Sequence, residues 1–211
     1  TTHEEHQPLA LQMEELADVN IDFFKRRKQA EINAGQKQGI RTTIYDIYDE
    51  LGKFEEIGCE LAQELLQMEI AMEKNLIIPR RDMVEVFNKL KTNQNTLILV
   101  SDMYLPSSIL ADILTDCGIT GYNEMIISCE CGYRKDADTI WDYVFTKYGK
   151  DSFVHVGDNP RSDWQTLIDR GIGVPWIMSS KDEMRFTRDE ELVRESSGNC
   201  IKSIEYGLLF N

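Results

Sequence analysis

Three short stretches carry side chains that could act on one substrate. Ser101 and Asp102 follow the apolar run 97–100 in "TLILVSDMYLP", and Lys135 precedes a helical pattern in "YRKDADTIW". Gly157, Asp158, Asn159 and Asp163 follow another apolar run in "SFVHVGDNPRSDW". A hydroxyl, an ammonium group and paired carboxylates suit phosphoryl transfer. The first two can hold phosphate oxygens, and the carboxylates can hold Mg²⁺, a hard ion that prefers oxygen ligands. Such catalysis consists mostly of positioning and charge stabilisation. Each piece has an ordinary alternative. Ser101 or Ser107 could be a helix cap, Lys135 a solvated surface lysine, and Ser162 or Asp163 an N-cap. Their occurrence in this order, each at an expected strand end, is what points to a site.

The elements around these residues are expected to form a parallel sheet. Beyond Pro79 the pattern reads "RDMVEVFNKLKTN" (helix, with Met83, Val86, Phe87 and Leu90 inward), "TLILV" (strand) and "SSILADILTDCG" (helix). It continues with "EMIIS" (strand), "DTIWDYVFTKYG" (helix), "SFVHVG" (strand), "SDWQTLIDRG" (helix) and "GVPWIM" (strand). Strands alternating with helices imply right-handed β-α-β units, and the short continuous apolar run at 97–100 predicts a strand covered on both faces. Ligands gather at the carboxyl ends of strands in such sheets.

Residues 1–80 read as helical throughout. "LALQMEELADV" repeats its apolar residues at helical spacing. "IDFFKRRKQAEINAG" has Asn20 or Asp22 as its cap and Gly35 as its stop. "TTIYDIYDELG" offers Thr42 or Thr43 as a cap and Gly52 as an end. "GCELAQELLQMEIAMEKN" is the longest helix, with Leu61, Leu65, Met68 and Met72 on one face, and "CIKSIEYGLLFN" reads as a closing helix. The expected architecture is a helical block over 1–80 followed by an α/β domain over 81–211.

The 211 residues suffice for one domain, or one with a small accessory domain. With 37 acidic against 23 basic residues the formal charge is −14, which argues against non-specific binding to nucleic acid or anionic membrane. No apolar run is long enough to span a bilayer, and the N-terminus lacks the pattern of a signal peptide. Cys59, Cys117, Cys129, Cys131 and Cys200 are scattered. Cys129 and Cys131 form a C-x-C pair with no second ligand pair nearby, which predicts reduced structural thiols and a cytoplasmic setting. His155, inside "FVHVG", is expected to pack in the sheet or support the Asp158 loop. Tyr104 and Arg161 lie in loops beside the expected site, and Trp141, Trp164 and Trp176 read as core.

The chain resembles the haloacid dehalogenase-like hydrolase superfamily. "LILVSDMYLP" is similar to its second motif, "GYRKDADTIWDYV" to its third and "HVGDNPRSD" to its fourth. The resemblance covers roughly residues 80 to 180 well and the helical block loosely. It implies a Rossmann-like parallel sheet core with an α-helical cap. Ser101, Asp102 and Lys135 would bind phosphate, Ser101 and Lys135 serving catalysis. Asp158, Asp163 and Asn159 would hold Mg²⁺. The implied activity is hydrolysis of a small phosphorylated metabolite or sugar phosphate. The form "SDMYLP" with "HVGDN" is similar to modules of surface-polysaccharide biosynthesis, with a glycosyltransferase domain or a second chain as the implied partner. The family's first motif, an apolar strand ending in D-x-D that carries the nucleophile, is not found. The one D-x-D, Asp136-Ala137-Asp138, follows "CGYRK" instead of an apolar strand. The expectation is that the first motif lies upstream of Thr1 and that the site is incomplete in this sequence. The alternative expectation is a non-catalytic module that binds a ligand or partner.

Overall fold

The structure is a computed structural model that describes residues 22–174, other than 138 and 152. These residues form a mixed α/β protein in which helices predominate, with one two-stranded parallel sheet among the described residues. They divide into two compact units, 22–134 and 135–174. The expected elements 9–19 and 200–211, and residues 175–178 of the strand expected over 173–178, lie outside the described residues.

In the first unit, α1 (Phe23–Gln38) starts where its cap predicts, with the Asp22 side chain accepting from the Lys25 backbone N–H at 3.0 Å. It does not stop at Gly35. Nothing forces a glycine with helical backbone to end a helix, and α1 continues to Gly39, whose φ of 60° leaves the helical region. α2 (Ile44–Leu51) begins in a capping box. The Asp46 backbone N–H donates to Thr43 Oγ1 at 3.2 Å, and the Thr43 backbone N–H donates to Asp46 Oδ2 at 2.8 Å. α3 (Gly58–Leu76) buries Ala62, Leu65, Leu66, Glu69 and Glu73, while Leu61, Met68 and Met72 flank this stripe. The inward face is therefore turned from the apolar pattern, because two glutamates occupy buried positions.

α4 (Arg81–Thr92) buries none of its residues, and Val86 and Leu90 are exposed. Of its expected inward face, Met83 and Phe87 are half-buried, and Val86 and Leu90 find no cover among the described residues. β1 (Ile98–Ser101) then pairs in parallel with β2 (Glu124–Ile127), Ile98 opposite Glu124 and Ser101 opposite Ile127. α5 (Ser107–Asp116) connects the two strands, so β1-α5-β2 is the expected β-α-β unit. All four β1 residues are half-buried, short of the full cover expected on both faces, and the strand pairs with β2 along one edge among the described residues. A short turn, α6 (Ser128–Cys131), follows β2.

One apolar core joins these elements. Ile44, Ile47, Tyr48 and Leu51 of α2 lie in it with Leu65 and Leu66 of α3. Leu105, Ile109, Leu110 and Ile113 after β1, and Ile127 of β2, belong to it as well. Within this core sits a buried charge. The Arg27 guanidinium donates to Glu69 through Nε at 3.0 Å and Nη2 at 2.9 Å, and to Glu31 through Nη1 at 3.0 Å. The Tyr48 hydroxyl also donates to Glu69. Arg27 lies against two aromatic rings, with Cζ 5.7 Å from the Tyr48 centroid and 5.6 Å from that of Tyr104. Burial alone would lower the Arg27 pKa, but Glu69 holds it above the ordinary value. Burial and then Glu69 push Tyr48 upward, and the same two causes push Tyr104 upward. Removing one member would strand the other's charge, which costs about 3–5 kcal/mol for a buried pair.

The second unit contains α7 (Thr139–Tyr148), a π-helical turn over Pro160–Gln165 and a final helical turn over Thr166–Ile168. The strand expected at 152–157 is not seen as a ladder. Among the described residues of that segment only Gly157 makes a bridge. The segment still alternates, with Phe153 and His155 half-buried and Val154 and Val156 exposed. Phe153 meets Phe145 edge-on at 5.1 Å, and His155 meets Trp141 at 4.7 Å. The inward alternation packs on α7 although no neighbouring strand supplies hydrogen bonds among the described residues. Trp141 is fully buried. No described helix is long and apolar enough to cross a membrane.

Candidate functional site

The second unit brings together residues from two of the three chemistry-bearing stretches. Asp163 is 4 % exposed, and its carboxylate is the hub. Lys135 Nζ donates to Oδ1 at 2.8 Å, and His155 Nε2 lies 3.0 Å from the same oxygen. The Asn159 backbone N–H donates to Oδ2 at 3.2 Å, and the Asp163 backbone N–H returns a bond to the Asn159 carbonyl at 3.0 Å. Lys135 and His155 are 28 and 8 residues from Asp163, so the fold, not local spacing, makes this cluster.

The loop between Gly157 and Asp163 is built around that carboxylate. The Asn159 side chain accepts from the Arg161 and Ser162 backbone N–H groups, both at 3.0 Å, and so caps the π-helical turn. The cap is Asn159, where the sequence offered Ser162 or Asp163. Ser162 is buried, and its carbonyl accepts from Trp141 Nε1 at 3.3 Å. A Cβ at Gly157 would stand 2.5 Å from Asp163 Cγ and 2.7 Å from Oδ2. No side chain fits there, so Gly157 is required by the closeness of backbone and carboxylate.

Burial would raise the Asp163 pKa. The hydrogen bond from His155 and the charge of Lys135 outweigh it and hold the carboxyl at about 2. Asp163 is therefore ionised across the neutral range, and it fixes Lys135, whose side chain is only 14 % exposed.

Magnesium takes oxygen donors, keeps several waters and uses one or two carboxylates together with substrate phosphates. Asp158 is exposed and fits as such a donor. Asp163 has both oxygens engaged and Asn159 has its side-chain oxygen engaged, so these two shape the loop beside Asp158. Among the described residues no three His, Cys, Asp or Glu side chains are grouped to hold a metal ion.

Ser101 and Asp102 belong to the first unit. Ser101 is half-buried at the carboxyl end of β1, and Asp102 is exposed directly after it. The following loop is tied down residue by residue. The Met103 N–H donates to Ser128 Oγ at 2.9 Å, the Tyr104 carbonyl accepts from the Ile44 N–H at 2.9 Å, and Leu105 is fully buried. The Ser107 hydroxyl and N–H both donate to Glu130. Ser107 thus bonds to another element instead of capping its own helix.

No protein-family model matches this chain, and no curated protein matches it.

Sequence reasoning missed Arg27 and Glu69 and left the role of His155 open between sheet packing and loop support. The signal for the first two was present. Phe23, Arg27, Ala30 and Ala34 share one face of α1, and Glu69 continues the stripe of Leu65 and Leu66 on α3. A charge on an apolar stripe of each of two helices is the pattern of a buried pair. Arg27 stands in "FFKRRKQ", where the run of basic residues reads as a solvated face.

Proposed function

We propose that this chain carries a Mg²⁺-dependent phosphohydrolase domain of haloacid dehalogenase type. Its substrate would be a small phosphorylated metabolite or sugar phosphate. The observation that carries this reading is the ion pair of Lys135 with Asp163 at 2.8 Å. It joins the lysine of the third motif to the acidic loop of the fourth. The β1-α5-β2 unit supports it further, since a Rossmann-like core is assembled from such units. In this reading residues 1–80 form the cap. Free thiols at Cys59, Cys117, Cys129 and Cys131 suit a reducing compartment such as the cytoplasm.

Each motif has its own part in this reading. Ser101 and Asp102 hold phosphate at the end of β1. Lys135 supplies positive charge to phosphate oxygens, kept in place by Asp163 and, through it, by His155. Asp158 is the metal donor, in a loop shaped by Asp163 and Asn159. Bound Mg²⁺ would neutralise phosphate charge as it develops. The reading also requires a carboxylate nucleophile at the end of a strand.

The test is phosphate release from a panel of sugar phosphates by the protein as its source cells make it, with and without Mg²⁺. Release that needs Mg²⁺ and falls at least a hundredfold in Asp158→Asn is the expected result. Asp158 is exposed, so that variant should unfold within about 0.5 kcal/mol of the parent. Release unaffected by the substitution refutes the assignment. One observation favours a second reading. The single D-x-D of the sequence, Asp136-Ala137-Asp138, follows "CGYRK" and not an apolar run. A non-catalytic module that binds a phosphorylated ligand, a glycosyltransferase domain or a second chain would give no release but would retain binding.

A further inference from the structure

The loop after β1 is held by the helical segment through a charged and aromatic clasp. Tyr104 contributes two links. Its carbonyl accepts from the Ile44 N–H at 2.9 Å, satisfying one of the open donors in the first turn of α2. Its ring covers the guanidinium of Arg27, 5.6 Å from the centroid. Arg27 cannot turn away, because Glu69 grips it through two nitrogens and the Tyr48 ring faces it at 5.7 Å. Glu69 in turn accepts from the Tyr48 hydroxyl. The clasp thus spans α1, α2, α3 and the loop, and it lies two residues beyond the exposed Asp102.

We propose that Arg27 and Tyr104 are positioning residues for the Ser101–Asp102 turn, which they hold in the conformation that accepts a phosphate. The role given to the turn rests on the phosphohydrolase reading. The anchoring itself stands on the contacts above. A desolvated cation held between two rings has strong orientation dependence, so the clasp fixes the direction of the loop as well as its distance from the helices. The helical segment then acts on the candidate phosphate turn as a fixed brace built into the same core. No described hydrogen bond involves the Tyr104 hydroxyl, so the ring and the backbone carry the effect.

The experiment is residue-resolved amide hydrogen exchange on the full chain, with inorganic phosphate as the probe ligand. The variants are Tyr104→Phe, Tyr104→Ala and Arg27→Met. Phenylalanine keeps the ring and should leave exchange within twofold of the parent. Alanine should speed exchange at Met103 and Ile44 by about tenfold or more and leave Ala34 and Leu66 unchanged. It should also weaken the phosphate-induced shifts of the Ser101 and Asp102 amides by about tenfold. Arg27→Met should produce the same local effect. Should it unfold the chain, the two tyrosine variants still decide the matter. Unchanged exchange in Tyr104→Ala, or an increase spread evenly over every amide, overturns the clasp. A parent protein whose Ser101 and Asp102 amides ignore phosphate overturns the phosphate role of the turn, and the exchange pattern shows separately whether the anchoring holds.

Discussion

Replacing Asp163 by asparagine tests the hub of the second unit with a magnitude taken from the structure. The carboxyl sits at about 2 instead of its ordinary 3.8. At about 1.36 kcal/mol per pH unit, that difference contributes about 2 kcal/mol to stability at neutral pH. The group's pKa is lower in the folded chain, so the unfolded chain takes up the proton first as the pH falls. The contribution is complete above about pH 4 and is lost as the pH drops toward 2, with about half already gone at pH 3. Asparagine keeps the shape and removes the charge. It also leaves Lys135 and His155, with side chains 14 % and 12 % exposed, beside a neutral amide. The expected loss at pH 7 is therefore about 2–4 kcal/mol, a shift of about 1 M or more in the urea midpoint. Trp141, whose ring is 4.7 Å from that of His155, reports the transition by fluorescence. The difference between parent and variant should narrow by about 1 kcal/mol between pH 7 and pH 3. An equal gap at both pH values would refute the reasoning, since the stabilisation would then not come from an ionised Asp163.

Two further substitutions probe neighbouring claims. Gly157→Ala places a methyl group 2.5 Å from Asp163 Cγ, and three hydrogen bonds keep that carboxylate from retreating. It should cost about 1–3 kcal/mol in chemical denaturation and shift the His155 ring signals in NMR spectra. Thr43→Ala removes the hydroxyl of the capping box on α2 and should cost about 1 kcal/mol, read as a lowered melting temperature with no change in the second unit's tryptophan signal.

Helices α1 to α5 and α7 and the two strands were legible because each rests on local rules. Apolar runs bounded by polar residues marked β1 and β2, and side-chain caps marked the starts of α1 and α2. What escaped depended on partners distant in sequence. Gly35 carries the composition of a stop, yet backbone geometry at Gly39 ends α1. The apolar side of α4 is plain in the sequence, but its periodicity says nothing about what covers it. The segment 153–156 alternates like a strand, while ladder hydrogen bonds need a neighbour that alternation cannot supply.

The candidate site shows the same division more sharply. The types Lys135, Asp158 and Asp163 were readable, but their separate surroundings were not. Two carboxylates five positions apart look equivalent in the sequence. In the fold one is exposed after Gly157, and the other is buried against it with three donors on its oxygens. Burial decides the difference. A carboxylate already saturated by an ammonium, an imidazole and an amide has little left to offer a hydrated cation, whereas an exposed one beside it can exchange water for metal. The glycine links the two, since only a residue without a side chain lets the backbone pass so close to Asp163 and then turn Asp158 outward. The G-D-x₄-D spacing thus holds one exposed and one buried carboxylate, and the positions of their neighbours set the difference.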